Sequence, residues 1–174
     1  MIHLNLGSNL NSKFGDRFDN IIKTIKLLSR EKVFVKKISH FYETPSYPNR
    51  SLSKFINIGV DVSTELNLKI FFKKLKDIEK KIGRKKSQKN APRVCDIDII
   101  DFNQLNLNSK ELKIPHPRMH VRNFVLYPLF ENQPNWTHPI SKKKIDFYLN
   151  RLNLKSHIEI TRLHKSDILK KYEQ

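Results

Sequence analysis

The amino-acid sequence predicts an α+β domain, an antiparallel sheet with two helices on one face, from three observations. Up to residue 100, periodic stretches follow one another as strand, helix, strand, strand, helix, strand. Both helical stretches carry their apolar residues on one stripe, so each has a single face to bury. The best-defined strand is wholly apolar on one side and mixed on the other. Two strand–helix–strand halves match the ferredoxin-like βαββαβ core, whose sheet face opposite the helices is left to hold an active site.

Ile2, Leu4 and Leu6 alternate with His3, Asn5 and Gly7 and form the first strand. Phe18, Ile21, Ile22, Ile25 and Leu28 then recur at helical spacing behind Gly15 and Asp16, and Arg30 and Lys32 mark the basic end of that helix. Residues 33–43 (VFVKKISHFYE) are β-rich and run into Thr44 and Pro45, where proline discourages further pairing. A polar loop follows over 46–53. In the next strand Ile56, Ile58, Val60 and Val62 point one way, while Phe55, Asn57, Gly59 and Asp61 point the other. A second amphipathic helix runs from Leu68 to Ile82 and stops near Gly83. The basic stretch RKKSQKNAPR lacks periodicity and leads into the strand VCDIDII. Beyond it the sequence predicts a short hairpin over 106–114, a helix over 122–131 interrupted by Pro128, and weak helical patterns over 143–152 and 165–172. No repeat or separating linker divides the chain, so 1–174 reads as one domain with a basic C-terminal extension over 140–174.

Of 174 residues, 34 are Lys or Arg and 17 are Asp or Glu, a formal net charge of +17 that suits a polyanionic ligand, either nucleic acid or a small molecule bearing phosphates. An AT-rich coding sequence would also enrich lysine, asparagine and isoleucine. The 38% hydrophobic content excludes a wholly disordered polycation. The single cysteine, Cys95, excludes a disulfide framework and a zinc site built on paired thiolates. No apolar run approaches the roughly 18 residues that cross a bilayer, and MIHLNLGSNL lacks the layout of a secretory signal, so the expected location is cytoplasmic, without a membrane partner. The four glycines lack the spacing of a Walker loop or a dinucleotide fingerprint.

Asp96 and Asp98 stand two apart on a strand, so their side chains leave the same face roughly 7 Å apart. Two carboxylates so placed repel unless cations neutralise them, and Mg²⁺ takes one or two carboxylates together with water and phosphate oxygens. Arg93 lies three residues before Asp96, with Arg84, Lys85, Lys86 and Lys89 upstream, an arrangement suited to metal-bridged polyphosphate. His116, braced by Pro115 and Pro117 and close to Arg118 and Arg122, can bind phosphate or move a proton. Phe55 and Phe124 can sandwich a flat heterocycle whose edge Asn57 reads. Each feature has a plainer alternative: an exposed edge strand, a solvated charge run, a structural histidine and a secondary core. His120 reads as a surface residue.

Together these pieces resemble a known family. LGSNL (6–10), FYETP (41–45), FIN (55–57), IEKKIGR (78–84), APRVCDIDII (91–100), IPHPR (114–118) and RNFVLYPL (122–129) are similar, in order and spacing, to 6-hydroxymethyl-7,8-dihydropterin pyrophosphokinases of folate biosynthesis, over residues 2 to about 139. The resemblance implies that ATP donates a pyrophosphoryl group to the pterin hydroxymethyl oxygen and that AMP leaves. It implies two Mg²⁺ ions on Asp96 and Asp98, and catalytic charge neutralisation by Arg84 and Arg93. His116 and Arg122, with those two arginines, would contact ATP. Phe55 and Phe124 would clamp the pterin, and Asn57, Gly7, Thr44 and Pro45 would line its pocket. Residues 84–92 would close as a lid.

Three positions depart from the family pattern: Asn90 where an aromatic is usual, Lys76 where glutamine is common, and Lys86 in place of an arginine, which keeps the charge without the bidentate fork. The competing readings are an RNA-binding module, since such modules share the split strand–helix–strand plan, and an inactive relative serving as a scaffold. Asp96 and Asp98 oppose the first by repelling a phosphate backbone, and the full Arg93, Asp96, Asp98 and His116 set opposes the second. The expected partners are small molecules, with no specific nucleic acid and the chain a monomer.

Overall fold

The computed structural model describes residues 1–47, 49–85 and 91–164. Alternation decides what the sheet buries. From β1 (Ile2–Ser8), β4 (Phe55–Ser63) and β5 (Asp96–Phe102), Leu4, Leu6, Ile56, Ile58, Val60, Ile97 and Ile99 enter one core. Helices α1 (Arg17–Arg30) and α2 (Leu68–Ile82) cover that face with Ile21, Leu28, Phe71, Leu75, Ile78 and Ile82. Each helix has a local reason to start. Asp16 and Asp19 form a reciprocal capping box on α1, and Asn67 accepts from the Ile70 N–H on α2. Gly83 ends α2 at φ 114, in the left-handed region that favours glycine.

All the sheet pairings are antiparallel. β1 lies between β5 and β4, and the far side of β4 is shared by β2 (Phe34–Ile38) and β3 (Phe41–Thr44). The β-rich stretch over 33–43 is thus two strands rather than one. They part at Ser39, which exchanges hydrogen bonds with the Gly59 backbone through its own N–H (3.0 Å) and its hydroxyl (2.9 Å). The predicted hairpin pairs β6 (Leu107–Asn108) with β7 (Lys113–Ile114).

The segment after β7 covers half of the opposite sheet face. Helix α3 (Asn123–Asn132) contributes Val125, Leu126 and Leu129 to a second core with Ile100, Met119, Trp136, Ile145 and Tyr148, the last two from α4 (Ile145–Leu149). The expected interruption at Pro128 does not occur. The proline lies inside the helix, on the side facing Gly59, where a Cβ would stand 2.9 Å from its own Cβ. Contact with the sheet offsets the missing hydrogen-bond donor. After α5 (Leu154–Ile158), β8 (Thr161–Leu163) adds a strand beside β3. The pattern predicted over 165–172 lies outside the described residues. Among those described, no helix is long and apolar enough to cross a membrane.

Candidate active site

Strand register lays out the floor of the half-face that α3 leaves open. Gly7 of β1 stands opposite Asp96 of β5 on one side and Asn57 of β4 on the other, and Asn5 stands opposite Asp98 and Gly59 in the same way. Asp96 and Asn57 are two strand spacings apart, about 10 Å. Gly7 keeps the floor between them low: a Cβ there would stand 3.0 Å from Asn57 Oδ1 and 3.8 Å from Phe55 Cδ1. Above this floor is a cavity of about 610 Å³, and all twelve candidate residues line it: Gly7, Thr44, Pro45, Phe55, Asn57, Arg84, Arg93, Asp96, Asp98, His116, Arg122 and Phe124.

At the β5 end, cations surround the two aspartates. Arg84 Nη1 lies 2.6 Å from Asp96 Oδ1, and Arg93 Nη1 binds Asp96 Oδ2. Burial works against ionising Asp96, but the Arg93 and Arg84 guanidiniums outweigh it and hold its carboxyl below the usual range. Asp98 goes the other way, raised first by burial and then by the Asp96 charge, because the basic side chains that face it are farther off. Arg122 Nη1 is 3.5 Å away and His116 Nε2 3.9 Å, both beyond hydrogen-bond reach. Burial lowers the His116 pKa despite Asp98, which favours a neutral imidazole. Among the described residues, Arg93 Nε is buried without a hydrogen-bond partner.

Glu79 organises this end from below and did not stand out in the sequence as a site residue. It is 2% exposed, yet its carboxylate pairs with Arg84, takes two hydrogen bonds from Lys76 (2.9 and 3.0 Å), and accepts from the Ile97 N–H at 2.8 Å. Ile97 is the residue between the two aspartates, so Glu79 fixes the strand that presents them. A carboxylate four residues before Gly83, on the buried side of α2, was the available signal.

At the β4 end, Asn57 donates to Thr44 Oγ1 at 3.1 Å, which leaves its Oδ1 over Gly7. Phe55 and Phe124 are both half-buried at the cavity, and the Arg122 guanidinium lies 5.3 Å from the Phe124 ring centroid. The outer wall comes from a part of the tail that periodicity left unassigned. Asn153, Lys155, Ser156 and Glu159 line the cavity, Ser156 O accepts from Asn123 Nδ2 at 2.7 Å, and Glu159 pairs with Arg50. His120 is exposed, as expected. Most of the expected lid, with Lys86, Lys89 and Asn90, lies outside the described residues.

The donor set suits magnesium. Asp98 offers a carboxylate that accepts no hydrogen bond among the described residues, and Asp96 stands beside it on the same face. Among those residues no three His, Cys, Asp or Glu side chains converge, so a cation here would complete its shell with water and ligand oxygens, as Mg²⁺ commonly does.

Comparison with known proteins supplies relatives for this arrangement. Residues 3–134 match the family described as 7,8-dihydro-6-hydroxymethylpterin-pyrophosphokinase (HPPK). The chain is 38% identical over 144 residues to the 2-amino-4-hydroxy-6-hydroxymethyldihydropteridine pyrophosphokinase of Aquifex aeolicus, covering 83% of this chain and 87% of that one. It is 36% identical over 130 residues to the Bacillus subtilis protein of the same name, covering 74% and 75%. It is also 40% identical over 139 residues, 80% of its length, to the folic acid synthesis protein FOL1 of Dictyostelium discoideum, of which it spans only 20%. Among solved structures, an HPPK-DHPS in complex with substrates aligns with a TM-score of 0.70 at 15% identity, over 94% of this chain and 48% of that one, which is a likeness of fold.

Proposed function

The chain belongs to the 7,8-dihydro-6-hydroxymethylpterin-pyrophosphokinase family, and on that premise we propose that it transfers pyrophosphate from ATP to 6-hydroxymethyl-7,8-dihydropterin in folate biosynthesis. The observation that carries the reading is one cavity with a carboxylate pair among cations at one end and an aromatic-flanked amide about 10 Å away at the other. A polyphosphate fits the first end and a flat, hydrogen-bonding ring the second. The ring would lie between Phe55 and Phe124, with Asn57, oriented by Thr44, reading its edge against Pro45 and above Gly7.

Transfer requires the pterin hydroxymethyl oxygen to attack the β-phosphorus of ATP as the bond from that phosphorus to the α,β-bridging oxygen breaks, so that AMP leaves with that oxygen and the hydroxyl proton is released to water. The protein's share is alignment and charge neutralisation. Arg84 and Arg93, which here share Asp96, would turn to the phosphate oxygens, and His116 and Arg122 would hold the rest of the chain of phosphates. Two Mg²⁺ ions, held by Asp96 and Asp98, would supply further neutralisation and lower the pKa of the attacking hydroxyl.

Several finer readings go with this one. β1 between β4 and β5, with β2 and β3 outside β4, fits a ferredoxin-like core. The reading extends to a single catalytic domain acting as a monomer in the cytoplasm on small molecules, without a specific nucleic-acid partner. The test is to incubate the protein with ATP, Mg²⁺ and the reduced pterin and follow products by mass spectrometry. AMP and the pterin diphosphate in equal amounts are expected. ADP with a monophosphorylated pterin, or no pterin product, overturns the proposal.

A further inference from the structure

Asn5 is the side chain on the cavity floor that the functional reading leaves unused. It is 4% exposed, it lines the cavity, and its Oδ1 is buried with no hydrogen-bond partner among the described residues. A buried amide oxygen without a donor is unfavourable, and protein folds seldom keep one unless something outside the chain completes it. The register puts Asn5 at the centre of the site, with Asp98 on one neighbouring strand and Gly59 on the other. Its floor neighbour along β1 on the cavity side is Gly7, which has no side chain. Asn5 is therefore the side chain that rises from β1 between the carboxylate end and the Asn57 end.

The chemistry of the orphan atom narrows its partner. Phosphate oxygens at neutral pH only accept hydrogen bonds, so they cannot satisfy an amide oxygen. An alcohol O–H can donate to the amide oxygen as it stands, which a phosphate oxygen cannot. The ring edge is already served from β4 by Asn57. The substrate group that must lie between the ring and the phosphates is the hydroxymethyl arm.

We infer that Asn5 binds the hydroxymethyl group of the pterin through a hydrogen bond, holding the attacking oxygen in line with the phosphate end of the cavity. The inference rests on the pyrophosphokinase reading and adds a residue to it. It makes Asn5 a reader of the arm rather than of the ring, which separates it from a merely structural floor residue.

The test compares two ligands on three proteins. The unmutated chain, Asn5→Ala and the near-isosteric Asn5→Leu are titrated, with Mg²⁺ and the non-cleavable α,β-methylene analogue of ATP, against 6-hydroxymethyl-7,8-dihydropterin and 6-methyl-7,8-dihydropterin. Both variants should bind the hydroxymethyl ligand about three- to tenfold more weakly, the effect of one neutral hydrogen bond, and bind the methyl ligand within twofold of the unmutated chain. Asn5→Leu removes the orphan amide without leaving a hole, so it reports even if Asn5→Ala folds poorly. Equal losses for the two pterins, or no loss for either, overturn the inference while leaving the functional reading standing. Failure of the unmutated chain to bind either pterin overturns that reading and the inference with it.

Discussion

Replacing Glu79 with alanine should destabilise the fold by about 3 kcal/mol, whereas Glu79→Gln should cost less than about 1 kcal/mol. The alanine variant strands the Ile97 N–H, now hydrogen-bonded at 2.8 Å beneath a 2% exposed carboxylate, which alone costs about 1–3 kcal/mol. Removing one partner of a fully buried ion pair costs about 3–5 kcal/mol, but the cations here are only partly buried. The Lys76 side chain is 34% exposed, and Arg84 keeps Asp96, so water and Asp96 recover much of what both lose. The lower part of that range therefore applies. At about 2–4 °C per kcal/mol for a chain of this size, Tm should fall by roughly 6–12 °C.

Glutamine keeps an acceptor under Ile97 and removes a charge whose burial, outweighing Lys76 and Arg84, raises the Glu79 pKa. A raised carboxyl pKa contributes stability that is full below the ordinary value and is lost as pH rises through the folded one. Ionised Glu79 is thus less favoured in the fold than in the unfolded chain, and Glu79→Gln gives little away. Calorimetric unfolding of the two variants at pH 7 and at about pH 5 checks both halves. If Glu79→Gln falls as far as Glu79→Ala, the carboxylate charge rather than the acceptor holds β5; if neither variant moves, the buried pairing contributes nothing.

Asp98→Asn should cut AMP production about a thousandfold while holding or raising Tm at pH 7, because burial and Asp96 raise the Asp98 pKa and disfavour its ionised form in the fold; a variant with undiminished turnover refutes the metal assignment. Arg93→Ala should slow transfer about a hundredfold and leave pterin affinity within threefold, since it leaves Asp96 to Arg84 and touches nothing at the Asn57 end; titration showing lost pterin binding with normal turnover reverses those roles. Gly59→Ala should cost about 1–3 kcal/mol in chemical denaturation, since its Cβ would stand 2.8 Å from His3 Cε1 and 2.9 Å from Pro128 Cβ, and an unchanged midpoint removes the close contact from the account of α3 packing.

Period-two alternation made β1, β4 and β5 legible because each buries one whole face, and the same alternation brought Asp96 and Asp98 to the cavity side with Asn57 and Phe55. Helices α1 and α2 were legible from stripe and caps. What the sequence hid depends on contacts between distant segments. Glu79 looks like one more charge on a lysine-rich helix until Ile97, 18 residues on, is placed above it. The wall from Asn153 to Glu159 has no buried residue in its short helix, so it generates no hydrophobic period; it is held by Asn123, by Arg50 and by the pairing of β8 with β3. Pro128 misleads for the same reason, because its compensation lies on another strand.

The outer sheet face carries polar residues along its whole length, so polarity alone does not say where a ligand would sit. Under α3, His3 binds Asp61 through Nδ1 at 2.6 Å, and Asp61 also accepts from Gln133 at 2.6 Å, so these groups largely answer one another. Beyond the edge of α3 the pattern changes. Among the described residues, Asp98 has basic groups near but accepts no hydrogen bond, and Asn5 Oδ1 and Arg93 Nε are buried and unpartnered. His3 Nε2 and Asn132 Oδ1 are unpartnered among those residues as well, but they do not line the cavity. An orphan inside closed packing is a local cost that the two cores must carry. An orphan acceptor and an orphan donor within one cavity, beside a carboxylate with a raised pKa, are instead complementary to something that brings both a hydroxyl and anionic oxygens. A pterin alcohol together with a nucleotide phosphate chain has both, so on the proposed function the unsatisfied groups, more than the charged ones, are where the two substrates would meet.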